Sequence, residues 1–162
     1  MFKAAKTPLL VAPVTLALLA SLATLASAAT PPDACRVVTK AQAAAAVGTP
    51  IVSATPLSRG PSSSCTFKGT GVFKSVVITT FRWNSDAQAK SAFEQMVSIT
   101  ANMMPPLVAM HGLGDEADQV GTAVYVRKGT GGYVFNVING SVGAAKASKA
   151  IALAKSAMAT IH

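Results

Sequence analysis

Three stretches of the chain repeat apolar residues at helical spacing, and several others carry strand-like runs rich in Val, Ile, Thr and aromatic residues. The first helical stretch covers residues 39–48. Thr39 suits the N-cap, Gln42 stands at the capping-box position three residues on, and Gly48 suits the left-handed residue that closes a helix. The second runs from about Asp86 to Ile99, with Ser85 and Gln88 at the same spacing and Ala89, Ala92, Phe93, Met96 and Ile99 in one apolar stripe. The third runs from about Ala144 to Thr160. There Ala147, Ile151, Ala154, Met158 and Ile161 share a face flanked by Lys146, Lys149 and Lys155. That face is narrow and alanine-rich, which predicts docking on the domain's own sheet rather than on a membrane surface.

The strands alternate differently. Residues 72–83 are long and β-rich, and a short strand at 64–68 precedes them across the Gly69-Thr70-Gly71 turn. Residues 122–128 and 133–139 flank Gly129-Thr130-Gly131-Gly132 and predict a second hairpin, because glycine takes positive φ without penalty. Residues 51–54 predict a further strand, residues 58–64 an exposed loop, and Pro105-Pro106 forbid regular helix through the stretch 102–106. Val72, Val76 and Ile78 lie on one face of their strand, with Phe73, Val77, Phe81 and Trp83 on the other. The last hairpin strand is also apolar on both sides, Tyr133, Phe135 and Val137 opposing Val134 and Ile138. Strands that are apolar on both faces need cover on both. The expected architecture is α+β: an antiparallel sheet of four to five strands with about three helices packed on it, and division of the helices over both faces would make it a helix–sheet–helix sandwich. The alternative is an open apolar face with Trp83, Tyr125 or Tyr133 at the rim, since a large exposed apolar patch marks a partner.

The first 28 residues do not belong to that domain. Lys3 and Lys6 precede an uncharged run from Thr7 to Pro32, and Ala26-Ser27-Ala28 places small residues where a signal peptidase reads. Residues 1–28 are therefore expected to be a signal peptide, and residues 29–162 a single exported domain, periplasmic or secreted. Pro13, Thr15, Ser21 and Thr24 weaken the alternative of an uncleaved membrane anchor. Two cysteines in an exported chain predict a structural disulfide between Cys35 and Cys65. Without Lys3 and Lys6 the 14 basic residues become 12 against 6 acidic ones, a formal charge of +6. That charge favours anionic surfaces over long range, but the lysines are scattered and read as solvated positions.

The chemistry-bearing residues are few. The stretch HGLGDEAD, positions 111–118, holds three of the six acidic residues and one of the two histidines. A calcium loop needs alternating oxygen ligands over twelve residues, and the sequence after Asp118 supplies none. Zinc needs three or four converging ligands, and beyond His111 only the terminal His162 is left. Asp115 and Glu116 are adjacent and are not expected to face one another for acid–base work. The stretch reads as a turn: Gly112 and Gly114 shape it, Asp115 bonds nearby amides, and the chain enters the strand at Thr122. Met96, Met103, Met104 and Met110 are spaced as core filler, not as a copper site. There is no G-x-S-x-G, the glycines at 129–132 precede a strand where phosphate binding wants a helix, and Phe81-Arg82-Trp83 is too isolated for nucleic acid. No catalytic residue, cofactor or metal is expected.

The order Asp33-Ala-Cys35, a short helix from Thr39 to Val47-Gly48, Ser64-Cys65-Thr-Phe67, then Gly112-Leu-Gly-Asp-Glu-Ala117 before a strand carrying Val126-Arg-Lys-Gly129 resembles small exported bacterial domains of unknown function, often lipoproteins. The resemblance covers most of residues 33–160 and implies a compact α+β domain with the two cysteines bridged. It implies no catalytic residues, and this chain lacks the lipoprotein cysteine. The leading expectation is a non-catalytic secreted or periplasmic module that binds an apolar or anionic ligand or an envelope protein, with Phe81, Trp83, Asp115 and Glu116 the candidate ligand-facing residues. The alternatives are a small hydrolase or metal-binding protein using the loop from His111 to Asp118, and a structural subunit of an envelope assembly. Oligomeric state, ligand and nucleic-acid partners have no signature here.

Overall fold

A computed structural model describes residues 29–140 and 144–161. The segment read as a signal peptide lies outside the described residues, as do residues 141–143 and His162. The described residues form one antiparallel sheet of seven strands with four helices, not the four to five strands expected. In chain order the elements are α1 (Ala34–Val37), α2 (Lys40–Val47), β1 (Ile51–Arg59), β2 (Ser62–Gly69), β3 (Ser75–Arg82), α3 (Asp86–Met103), β4 (Leu107–Met110), β5 (Glu116–Val120), β6 (Ala123–Lys128), β7 (Gly131–Ile138) and α4 (Ala144–Met158). The spatial order β1-β2-β3-β7-β6-β5-β4 joins two meanders along β3 and β7.

The two extra strands, β4 and β5, fall on either side of the 111–115 loop. Both are short and neither alternates cleanly: β4 reads Leu-Val-Ala-Met and β5 Glu-Ala-Asp-Gln-Val. β5 pairs with β6, and β4 with β5, and this pairing supplies what their own pattern lacks. The loop expected at residues 58–64 is instead a tight hairpin through Gly60 and Pro61, and β1 runs on to Arg59. In the β6–β7 hairpin only Gly129 and Thr130 make the turn; Gly131 and Gly132 pair with Lys128 and Arg127. The strand expected from Val72 begins at Ser75, because Phe73 adopts φ +56 and breaks the extended run.

The helix signals are read locally and hold. Thr39 and Gln42 form the full capping box on α2, and Gly48, at φ +75, donates its N–H to the Ala44 carbonyl. Ser85 accepts from the Gln88 amide at the start of α3, while the Gln88 side chain accepts from Asn84 N–H. α3 continues to Met103 and stops two residues before Pro105. Its buried face is Ala89, Phe93 and Val97; Ile99, placed in the stripe from sequence, is 54% exposed. Steps of three residues from Phe93 through Met96 to Ile99 each rotate about 60° off the face, whereas the step of four to Val97 stays on it.

The helices divide unequally between the faces. α1, α2 and α4 cover one, over a core that includes Phe67, Val76, Ile78, Val126, Phe135, Leu153 and Met158. Full burial of a side chain of this size contributes about 1.5–3 kcal/mol. α3 covers the other face only over β5, β6 and part of β7, packing Phe93 and Val97 on Val120, Ala123 and Tyr125. Tyr125 and Tyr133 are thus buried under helices on opposite faces, not at a rim. The second face of β1–β3 has no helix on it among the described residues. The sandwich is therefore complete over half the sheet.

Cys35 on α1 is bridged to Cys65 on β2, with Cα atoms 5.0 Å apart. Beside the bridge, Ala34 N–H donates to Ser63 Oγ, and Thr80 Oγ1 donates to the Pro32 carbonyl. The disulfide and these bonds stitch residues 32–38 to the sheet. No helix among the described residues is long and apolar enough to cross a membrane.

Candidate functional site

A groove of about 560 Å³ opens where α3 lies beside β4 and β5. Phe93, Val97 and Ala101 of α3 form one wall; Leu107, Ala109 and Asp118 form the other. Strand register builds the second wall. Leu107 pairs with Val120 and Ala109 with Asp118, so these side chains alternate onto the face under α3. Glu94, Asp115, Glu116 and Asp118 all border the groove, four of the six acidic residues in a chain of net positive charge. A smaller cleft of about 280 Å³ between α2 and α4 is crossed by the Gln42–Ser156 hydrogen bond and carries no comparable charge.

The floor of the groove is tied down by Arg127. Its Nε donates to Glu116 Oε2 at 3.0 Å and its Nη1 to Asp115 Oδ2 at 3.2 Å. Asp115 Oδ2 also accepts from the Gly129 amide at 2.6 Å, and Asp115 N–H donates to the Arg127 carbonyl at 2.8 Å. The Arg127 side chain is only 11% exposed. The hydrogen bond that the guanidinium donates to Glu116, opposed by burial and reinforced by the charges of both carboxylates, raises its already high pKa. Adjacent Asp115 and Glu116 converge on one cation, Arg127. Asp115 lies in the loop and Glu116 opens β5 opposite Arg127, so the two approach one cation from different directions. The chain leaves the loop directly into β5 at Glu116, before it reaches the strand expected from Thr122, which is β6 beginning at Ala123.

Gly112 and Gly114 sit at φ +73 and +66, as a tight loop requires. A Cβ on Gly114 would lie 2.4 Å from the Arg127 carbonyl oxygen, so only glycine lets this loop lie against β6.

Asp118 is different. It has no ion-pair or hydrogen-bond partner among the described residues, and it stands half-buried opposite Tyr125 in the groove wall. Burial, and then the nearby Glu116 charge, raise its pKa above the ordinary aspartate value. In the sequence Asp118 stands only as one of the acidic residues of the His111–Asp118 stretch, because nothing in the local pattern separates an aspartate on a half-covered face from one in solvent.

Phe81 and Trp83 do not line the groove, but they share its face. The register runs Phe81, Gly132, Arg127, Glu116 across four strands. The Phe81 and Trp83 rings stack with centroids 5.7 Å apart, and the Trp83 indole occupies the space over Gly132 where a Cβ would clash at 2.5 Å. They form an aromatic shoulder next to the Arg127 clasp. His111 is exposed at the groove mouth and has no partner among the described residues to orient its ring. No group of three or more His, Cys, Asp or Glu side chains able to hold a metal ion occurs among the described residues. The arrangement offers shape, apolar walls and negative charge. The chain matches no family model, no curated protein and no solved structure.

Proposed function

We propose that this chain is an exported, non-catalytic binding module that takes an apolar ligand bearing a positive charge in the groove between α3 and β4–β5. The observation that carries the reading is Asp118, a carboxylate without a partner among the described residues, held half-buried between apolar walls. A charge left in such a place is costly unless something pairs with it. Arg127 already engages Asp115 and Glu116, and among the described residues Glu94 has only the exposed Lys90 at 3.9 Å, so the groove retains negative charge of its own. Of the ligand classes open from the sequence, the acidic lining favours a cationic group over an anionic one. The signal-like leader and the Cys35–Cys65 bridge support a site of action outside the cytoplasm, periplasmic or secreted.

Calorimetry with octylammonium, octanoate and tetramethylammonium tests the reading, because it separates charge from apolar bulk. Octylammonium binds, the other two bind at least fivefold more weakly, and Asp118→Asn weakens octylammonium by a similar factor. Equal binding of octanoate, or indifference to Asp118→Asn, overturns it.

A further inference from the structure

We propose that the occupant of this groove is an extended basic polypeptide segment, added as an eighth strand on the free edge of β4. The inference rests on the cation-binding reading above and names the source of the cation.

The two edges of the sheet are built differently. β1, at one end, carries a bulge between Ile51 and Ser53, Pro56 in its middle and Arg59 at its end, all devices that discourage another strand from pairing. β4, at the other end, reads Leu107-Val108-Ala109-Met110 and has none within it. It pairs with β5 alone among the described residues. Its own Leu107 and Val108 are 51% and 47% exposed, and Met103 and Met104, which precede it in the chain at the end of α3, are 68% and 51% exposed. β4 is short, which blunts an edge, but its side chains are those of a strand that is meant to be covered.

The register shows which backbone groups are free. Gly121 N–H donates to the Pro106 carbonyl at 2.9 Å, and these residues stand opposite one another in the β4–β5 ladder. Antiparallel pairs alternate between bonded and non-bonded, so Val108 and Met110 bond inward to β5. Leu107 and Ala109 therefore turn their N–H and C=O groups to the open edge. Those same two residues put their side chains into the groove. A guest strand that bonds to Leu107 and Ala109 thus places alternate side chains over the groove, as strand addition requires.

Charge selects the guest. A residue opposite Ala109 lies two strand spacings, about 10 Å, from Asp118. A lysine or arginine reaching inward and an aspartate reaching outward close that gap. Glu94 borders the same space from α3. The intervening guest residues point to the opposite face, beside exposed Val108, and are apolar. The matching sequence alternates basic and apolar residues. A second copy of this chain fits less well, since pairing β4 with β4 brings the two acidic grooves toward one another.

The test uses the purified, oxidised chain and the peptide acetyl-Lys-Val-Lys-Val-Lys-Val-amide, its Glu counterpart, and a lysine peptide N-methylated at alternate backbone positions. Ala109→Pro removes one outward N–H and leaves the inward bonds of Val108 and Met110 in place; proline is tolerated at such edge positions. The Lys peptide binds, and the Glu and N-methylated peptides bind at least fivefold more weakly. Ala109→Pro and Asp118→Asn each weaken the Lys peptide fivefold or more. If Ala109→Pro fails to fold, the N-methylated peptide still decides the point. Equal binding of the N-methylated or Glu peptide overturns the inference, as does a wild-type dimer that Ala109→Pro dissociates. Loss of the peptide result with octylammonium binding intact sinks strand addition alone; loss of both sinks the groove.

Discussion

Gly112 and Gly114 sit in one loop with nearly the same φ, yet alanine at the two positions should have very different consequences. Each substitution places a Cβ in the left-handed region, which costs about 1–2 kcal/mol, partly offset by about 0.4–1 kcal/mol because alanine loses less freedom on folding. At Gly112 nothing lies within 4 Å of the new Cβ, so the account ends there, at about 1 kcal/mol. At Gly114 the Cβ meets the Arg127 carbonyl oxygen at 2.4 Å and Val126 Cγ1 at 2.7 Å. Both belong to β6, an inner strand paired on each side, so the loop must lift. Lifting breaks the 2.8 Å bond from Asp115 N–H to Arg127 and the 2.6 Å bond from Gly129 N–H to the Asp115 carboxylate. At about 1 kcal/mol for each neutral bond and more for the ionic one, Gly114→Ala loses about 3–4 kcal/mol in all. Urea denaturation measures the difference. With a slope of about 1–3 kcal/mol per molar, the Gly114→Ala midpoint falls about 1–2 M below that of Gly112→Ala. Octylammonium binding should survive Gly112→Ala and fail in Gly114→Ala, since the clasp holds the groove floor. Coincident midpoints for the two variants would refute the view that close packing on β6 fixes this loop.

Three further outcomes are expected. Because burial raises the folded-state pKa of Asp118, its contribution to stability is complete at low pH and is lost as pH rises through the folded value. Asp118→Asn should therefore melt higher than wild type at pH 7 and alike at pH 3, while cation binding to wild type strengthens over the same rise; a pH-independent difference contradicts this. Replacing both Cys35 and Cys65 with serine opens a loop spanning 30 residues and should cost roughly 3–4 kcal/mol by denaturation, with a loss below 1 kcal/mol counting against the staple. Gly132→Ala should displace the Trp83 indole, whose ring would stand 2.5 Å from the new Cβ, and red-shift its fluorescence; an unchanged emission maximum contradicts that packing.

How much of this was legible in the sequence depended on how local each signal was. The helices at 40–47 and 86–103 were announced by caps and by prolines, which act within a few residues. β6 and β7 were visible because they are dense in β-branched and aromatic side chains, being buried on at least one face and packed from both. β4 and β5 were not: Leu-Val-Ala-Met is too short to show a period, and Glu-Ala-Asp-Gln-Val is mostly polar because α3 covers its second face only in part. The same partial cover hid the groove. Asp115 and Glu116 were singled out by composition, but their common partner Arg127 lies on another strand, and Asp118 became distinctive only once α3 shielded it.

The sequence by itself determined the α+β character, the capped starts of α2 and α3, the glycine that closes α2 and the two cysteines that staple the chain, since each follows from backbone and side-chain preferences over a few neighbouring residues. Only the tertiary structure decided that α3 falls short of β4, that Arg127 meets two carboxylates, and that Asp118 has no partner among the described residues, one strand in from an open edge. Those facts are distances between residues that the chain brings together from separate elements, and no local preference encodes them.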